Sequence, residues 1–146
     1  MQTVAQILQN KQDRTVYTIT PAAMVLDAIK LMAAKRIGAL LVMENRQIAG
    51  IVTERDYARK VILMGRSSHE TPVRDIMSSP VMYVRPDQTN VQCMALMTEN
   101  RLRHLPVIDN GELTGLISIG DLVKDIISEQ QFIIEQLEHY IRGERC

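Results

Sequence analysis

The chain repeats itself. Asp121 minus Asp56 is 65, and so is Gly115 minus Gly50, so GIVTERD (50–56) returns as GLISIGD (115–121). The same offset pairs Pro21 with Pro86, Leu31-Met32 with Leu96-Met97, Arg36 with Arg101, Leu40 with Leu105, Val42 with Val107 and Asn45 with Asn110, without a gap from Val16 onward. A fixed internal period constrains architecture strongly, because both copies must fold to the same unit. Two copies predict a pseudo-two-fold pair, not a solenoid.

Each copy reads as β-α-β-β-α. The first strand is expected at Val16–Ile19 or Val81–Val84. Thr20-Pro21 offers a cap and a first helical position for AAMVLDAIKLMAAKR, whose apolar residues fall on one face. ALLVM and QIAGIV are strands joined by a turn at Glu44-Asn45-Arg46, and the second copy carries the clearer Asn110-Gly111 hairpin signal. DYARKVILM and DLVKDIISE return to helical spacing. MGRSSHETP (64–72) is the linker, and VRDIM (73–77) echoes VAQIL (4–8) ahead of each copy. The predicted class is α+β, with boundaries at 1–66, 67–128 and a helical extension at 129–146.

Composition excludes more than it assigns. With 17 basic and 17 acidic residues the net charge is zero, which supplies no field for nucleic acid or a membrane surface. Aromatic residues are 3% of the chain, too few for base stacking, while 46% hydrophobic content supports a packed core. The N-terminal MQTVAQILQNKQDR reads as neither a signal peptide nor a membrane span. Cys93 and Cys146 are too few for a disulfide framework, so a cytoplasmic protein is expected. The histidines are scattered and no metal site is predicted. No nucleophile–base constellation stands out, and in GLISIGD an aspartate occupies the place of a phosphate-binding lysine, so no enzyme is expected.

The doubled motif has two readings. A Thr or Ser where a strand meets a helix, followed three residues later by Asp, is a capping arrangement. The same place presents unpaired N–H groups to an anion, and the carboxylate can accept hydrogen bonds from a ribose diol.

Two copies of G-x-x-[ST]-x-x-D, each preceded by RIGALLV or RLRHLPV, resemble paired CBS domains, the family named for cystathionine β-synthase, from about Val4 to Ser128. The resemblance implies two units packed through their sheets, with two clefts that commonly bind adenosine compounds. It makes Asp56 and Asp121 ribose-binding residues, with Thr53 and Ser118 near phosphate or ribose. Arg103 and His104 match the family's basic pair and are expected beside Asp56, with Ile37, Gly38 and Ala39 lining the wall. Arg55 is a further candidate, or else a solvated helix-start side chain; its counterpart is Gly120. His104 also reads as a half-buried strand-side histidine. The Asp121 cleft faces Gly38-Ala39 and is expected to hold phosphate less well.

Past the second copy, Val123, Ile126, Gln130, Ile133, Leu137 and Tyr140 form a heptad-like stripe, suited either to folding back on the core or to association of two chains. The expected function is a regulatory module that binds an adenine nucleotide, AMP first, with ATP, ADP, NAD and S-adenosylmethionine as alternatives. It would act as a homodimer on an unknown regulated protein; the competing reading is a ligand-independent dimeric adaptor.

Overall fold

The computed structural model describes residues 2–143, so Cys146 lies outside the described residues. The elements are α1 (Val4–Asn10), β1 (Thr18–Ile19), α2 (Val25–Lys35), β2 (Ala39–Glu44), β3 (Gln47–Thr53), α3 (Glu54–Tyr57), α4 (Asn90–Asn100), β4 (His104–Asp109), β5 (Glu112–Ser118) and α5 (Ile119–Ile141). A π-helical stretch, Ala58–Ile62, continues α3, and a short 3-10 turn spans Val73–Asp75. The mixed α+β character and both copies of the repeat are therefore present.

The two compact units are not consecutive pieces of chain. Of the described residues, one comprises 2–14 with 83–143, the other 15–82. The first has its core in Val4, Ile7, Val84, Cys93, Met97, Leu105, Val107, Ile117 and Leu122. The second has Val25, Ala28, Met32, Leu40, Val42, Val52, Val61, Val73 and Ile76. Ala28/Cys93, Met32/Met97, Leu40/Leu105, Val42/Val107 and Val52/Ile117 are equivalent at the repeat offset, so the same pattern buries the same face twice. α1 belongs with the second copy, and the 3-10 turn with the first.

The repeated glycines explain that assignment. A Cβ on Gly115 would stand 2.8 Å from Leu8 Cδ1. A Cβ on Gly50 would stand 2.7 Å from Met77 Sδ and 2.9 Å from the Ser78 carbonyl oxygen. Each final strand is approached so closely by a preceding segment that a side chain has no room. Ser78 also exchanges main-chain hydrogen bonds with Ile51, at 2.9 and 3.0 Å.

In each unit the paired antiparallel strands share a register. Ala39 faces Thr53 and His104 faces Ser118, with matching irregularities after Val42 and Val107. Hairpin geometry repeats as well, with φ of 52° at both Asn45 and Asn110. Arg46 then takes a φ of 64° where the second copy has Gly111 at 80°. Of these two, only the glycine is free of Cβ crowding in the left-handed region.

Three local expectations are corrected. α2 starts at Val25, with Met24 as an N-cap that makes no side-chain hydrogen bond. Thr20-Pro21 does not start it, because the end of the linker and the 3-10 turn after it claim that backbone. Arg74 N–H bonds the Pro21 carbonyl at 3.0 Å, Val73 N–H bonds the Ala23 carbonyl at 2.8 Å, and the Thr71 carbonyl accepts from Val25 N–H at 2.8 Å. Val81–Val84 is not a strand; Val84 alone bridges Val107. In the first copy Leu41 N–H reaches the Tyr17 carbonyl at 3.4 Å, but Pro106 stands at the position of Leu41 and has no N–H to donate. The helix expected from DYARKVILM is four α-helical residues followed by the π-helical stretch.

α5 runs from Ile119 through residues 128 and 129 without a break. Its first turns close the core through Leu122, while Asp125 turns inward and accepts from Asn90 Nδ2 at 2.6 Å. The counterparts of Asn90 and Asp125 at the repeat offset are Val25 and Lys60.

Gly50→Ala is expected to destabilise the chain by about 1–3 kcal/mol, because its new methyl meets a main-chain oxygen that cannot turn aside. Gly115→Ala, which meets only the ends of the Leu8 side chain, is expected to cost less. Urea denaturation of the two variants checks the order; equal losses would show that backbone proximity is not the cause.

Candidate functional site

Each copy's last strand ends on a hydroxyl residue with extended backbone, and a helix begins at the next residue. Thr53 has φ −125° and ψ 163°, and Ser118 has φ −99° and ψ 162°. Both close a capping box with the aspartate three residues on. Thr53 N–H donates to Asp56 Oδ2 at 3.0 Å, and Asp56 N–H donates to Thr53 Oγ1 at 3.1 Å. Ser118 N–H donates to Asp121 Oδ2 at 2.8 Å, and Asp121 N–H donates to Ser118 Oγ at 3.2 Å. The capping reading of the motif is thus realised in both copies. It also fixes each carboxylate rigidly at a helix start, with its side chain 15% exposed.

The strand that precedes each site donates its neighbours. Ala39 is buried opposite Thr53, and the Gly38 carbonyl accepts from Glu54 N–H at 3.1 Å. Ile37 and Gly38 are half-buried and Arg55 is exposed. In the other unit the Arg103 carbonyl accepts from Ile119 N–H at 2.9 Å, and His104 lies half-buried opposite Ser118. Gly38-Ala39 and Arg103-His104 are therefore equivalent positions. The first pair belongs to the unit of Thr53, Arg55 and Asp56, the second to the unit of Ser118 and Asp121.

Sequence reasoning missed two lysines. Lys60 Nζ stands 3.3 Å from Asp56 Oδ1 and donates to the Ile76 carbonyl at 2.9 Å. Lys11 Nζ stands 2.9 Å from Asp121 Oδ2 and donates to the Leu116 carbonyl at 2.8 Å. Lys60 was legible, since it follows Asp56 by four residues on a helical stretch. Lys11 was not, because 110 residues separate it from its partner.

These charges set the local ionisation. Burial alone would raise the Asp121 carboxyl, but the Ser118 N–H and the Lys11 ammonium outweigh it and hold the group below the ordinary carboxylate range. His104 is held below the ordinary histidine range, first by burial and next by Lys11, with Arg103 adding less and Asp121 pulling the other way. It is a neutral imidazole at neutral pH, with one ring nitrogen able to donate and the other to accept a hydrogen bond.

A cavity of about 490 Å³ lies elsewhere in the unit of Asp56, lined by Thr20, Pro21, Ala22, Met43, Glu44, Asn45, Arg74 and Met77. It sits at the hairpin end of β2, whereas Thr53 pairs with Ala39 at the opposite end. Among the described residues no group of three or more His, Cys, Asp or Glu side chains is arranged to hold a metal ion, and no helix is long and apolar enough to cross a membrane.

A duplicated α+β unit with one capped, half-enclosed carboxylate per copy defines the class. The CBS-domain model matches residues 4–62 and 73–128, and the chain belongs to that family. It is similar to the mitochondrial CBS domain-containing protein CBSX3 of Arabidopsis thaliana, 44% identical over 124 residues that cover 82% of this chain. The chain spans 60% of that relative's length, and 22% of a second Arabidopsis CBS protein, CBSCBSPB5. Among solved structures it resembles a CBS-domain protein of Burkholderia ambifaria whose name proposes a signal-transduction role. That match is 64% identical, covers 88% of this chain and 96% of the other, and has a TM-score of 0.85. It also resembles the hexameric CBS-CP12 protein of bloom-forming cyanobacteria, with 32% identity, 84% and 70% coverage and a TM-score of 0.74.

The ionisation of His104 has a measurable consequence. An unfolded histidine takes up its proton near pH 6.5, while folded His104 resists to lower pH. Between the two values the unfolded chain binds more protons, so stability falls as pH drops below about 6.5. His104→Gln should flatten that fall. Urea midpoints compared at pH 7.5 and 5.5 test it, and an equal fall in both proteins refutes it.

Proposed function

We propose that this chain is a regulatory module that binds an adenine nucleotide, AMP first among them, and conveys its binding to another protein. The observation that carries the reading is the capping box shared by Asp56 and Asp121, each with a lysine ammonium beside its carboxylate. Each is a hydrogen-bond acceptor held by its own helix N-cap at a place where chain, dipole and an adjacent lysine suit a ribose with a phosphate attached. The family and the signalling role in the Burkholderia protein's name support it. ATP, ADP, NAD and S-adenosylmethionine present the same diol and remain the alternatives. The work is regulatory rather than catalytic, since the polar groups at each site are occupied in holding a carboxylate and not in activating a nucleophile.

Melting curves against the five compounds at millimolar concentration test the reading. A ligand at about a hundred times its dissociation constant adds roughly 2.7 kcal/mol of stability. Asp56→Asn and Asp121→Asn, which can keep the cap while removing the charge, should each weaken the site they line about tenfold to a hundredfold. An unchanged melting temperature with all five compounds would overturn it.

The exposed face of α5 favours self-association as part of this function. Ile127, Ile133, Ile134, Leu137, Tyr140 and Ile141 are 50–81% exposed along the same helix. The stripe Val123, Ile126, Gln130, Ile133, Leu137, Tyr140 is widened by Ile127, Ile134 and Ile141 at intervals of seven. An apolar face this long is the usual mark of a partner helix, and the simplest partner is a second copy of the chain. Light scattering should give a dimer mass at micromolar concentration, and Ile133→Glu with Leu137→Glu should give a monomer. A wild-type monomer with and without nucleotide rules the dimer out.

A further inference from the structure

The two carboxylates match in chain position but not in how their charge is met. Asp56 is answered from its own helical stretch by Lys60. Asp121 has no such neighbour, because the counterpart of Lys60 is Asp125, which is turned inward onto Asn90. Its cation is Lys11, the residue that closes α1.

Lys11 is delivered by ordered backbone. Thr3 closes a capping box at the start of α1, and Val4 and Ala5 donate to the carbonyls of Gln88 and Pro86 at 2.8 and 3.0 Å. Leu8 fills the space over Gly115. The lysine side chain is 25% exposed, and its ammonium is shared between Asp121 Oδ2 and the Leu116 carbonyl. Lys11 and, less strongly, Arg103 both oppose protonation of His104 in the same unit. The site at Asp121 therefore carries a cation that the repeat itself does not encode.

We infer that Lys11 is a specificity-determining residue of the Asp121 site, favouring phosphorylated nucleosides over the nucleosides themselves. The inference rests on the nucleotide reading above. A neutral ribose diol that donates to both Asp121 oxygens competes with the ammonium at Oδ2 and leaves a half-buried charge without its anion. A nucleotide brings an anion of its own. The ammonium released from Asp121 then passes to a phosphate oxygen and stays paired, so one charge-assisted contact replaces another. Lys11 thus opposes the nucleoside and assists the nucleotide.

The test is calorimetric titration of AMP and of adenosine into wild type and into chains carrying Asp56→Asn, so that the latter report the Asp121 site alone. In that background Lys11 is compared with Lys11→Met and Lys11→Arg. Lys11→Met should weaken AMP about tenfold and leave adenosine unchanged or tighter. Lys11→Arg should keep the preference for AMP. An unchanged AMP-to-adenosine ratio in Lys11→Met overturns the inference, as does an equal weakening of both ligands, which marks a merely structural lysine. Loss of AMP binding in Asp56→Asn alone also overturns it, since the Asp121 site then takes no nucleotide. Binding of neither ligand by the wild type removes AMP as the nucleotide together with this inference, whereas wild-type binding with an unchanged ratio removes this inference only.

Discussion

Each unit depends on the approach of a borrowed segment to a strand glycine. Leu8 over Gly115 and Met77-Ser78 over Gly50 bring chain from ahead of one copy onto the last strand of the other. The consequences run directly to the carboxylates. The segment on Gly115 ends in Lys11, which meets Asp121. The segment on Gly50 includes Ile76, whose carbonyl holds the lysine that meets Asp56. A side chain at either glycine would disturb packing and electrostatics together, because the same few residues serve both.

The hydroxyl–aspartate motif first looked like a choice between a helix cap and a ligand site. The geometry shows that the two are compatible. The cap engages Oδ2 of each aspartate, and a carboxylate has two oxygens with several lone pairs. Capping restrains the side chain, so a ligand that binds it loses less conformational freedom than it would at a flexible carboxylate. The helix start that needs the cap also offers the dipole that suits an anion. A motif that stabilises its own fold and also presents an acceptor has two reasons to occur in both copies.

The copies have diverged where the fold allows it. Val25 and Lys60 in one copy answer to Asn90 and Asp125 in the other. The first solution is an apolar helix start with a cation left for Asp56. The second is a buried amide–carboxylate bond of 2.6 Å, with Asn90 Oδ1 lacking a partner among the described residues. It removes the local cation, which leaves Asp121 dependent on α1. Pro106 in place of Leu41 is a smaller divergence of the same kind: it shortens a ladder to a single bridge, while both positions stay buried.

The sequence by itself determined the repeat, the helix and hairpin of each copy, the hairpin turns at Asn45 and Asn110, and the helix caps at Thr53 and Ser118. These are local: a period of two or 3.6 residues, a turn that needs positive φ, a hydroxyl within reach of the third N–H. The core followed too, since equivalent apolar positions bury the same faces in both copies. Tertiary structure alone decided that the units interleave along the chain. It decided that α2 begins at Val25, where the linker takes the backbone groups a longer helix needs. It also decided that Lys11 meets Asp121. No local rule links residues 110 positions apart; their meeting depends on a leucine that fits over a glycine on another strand, which only the packed core can specify.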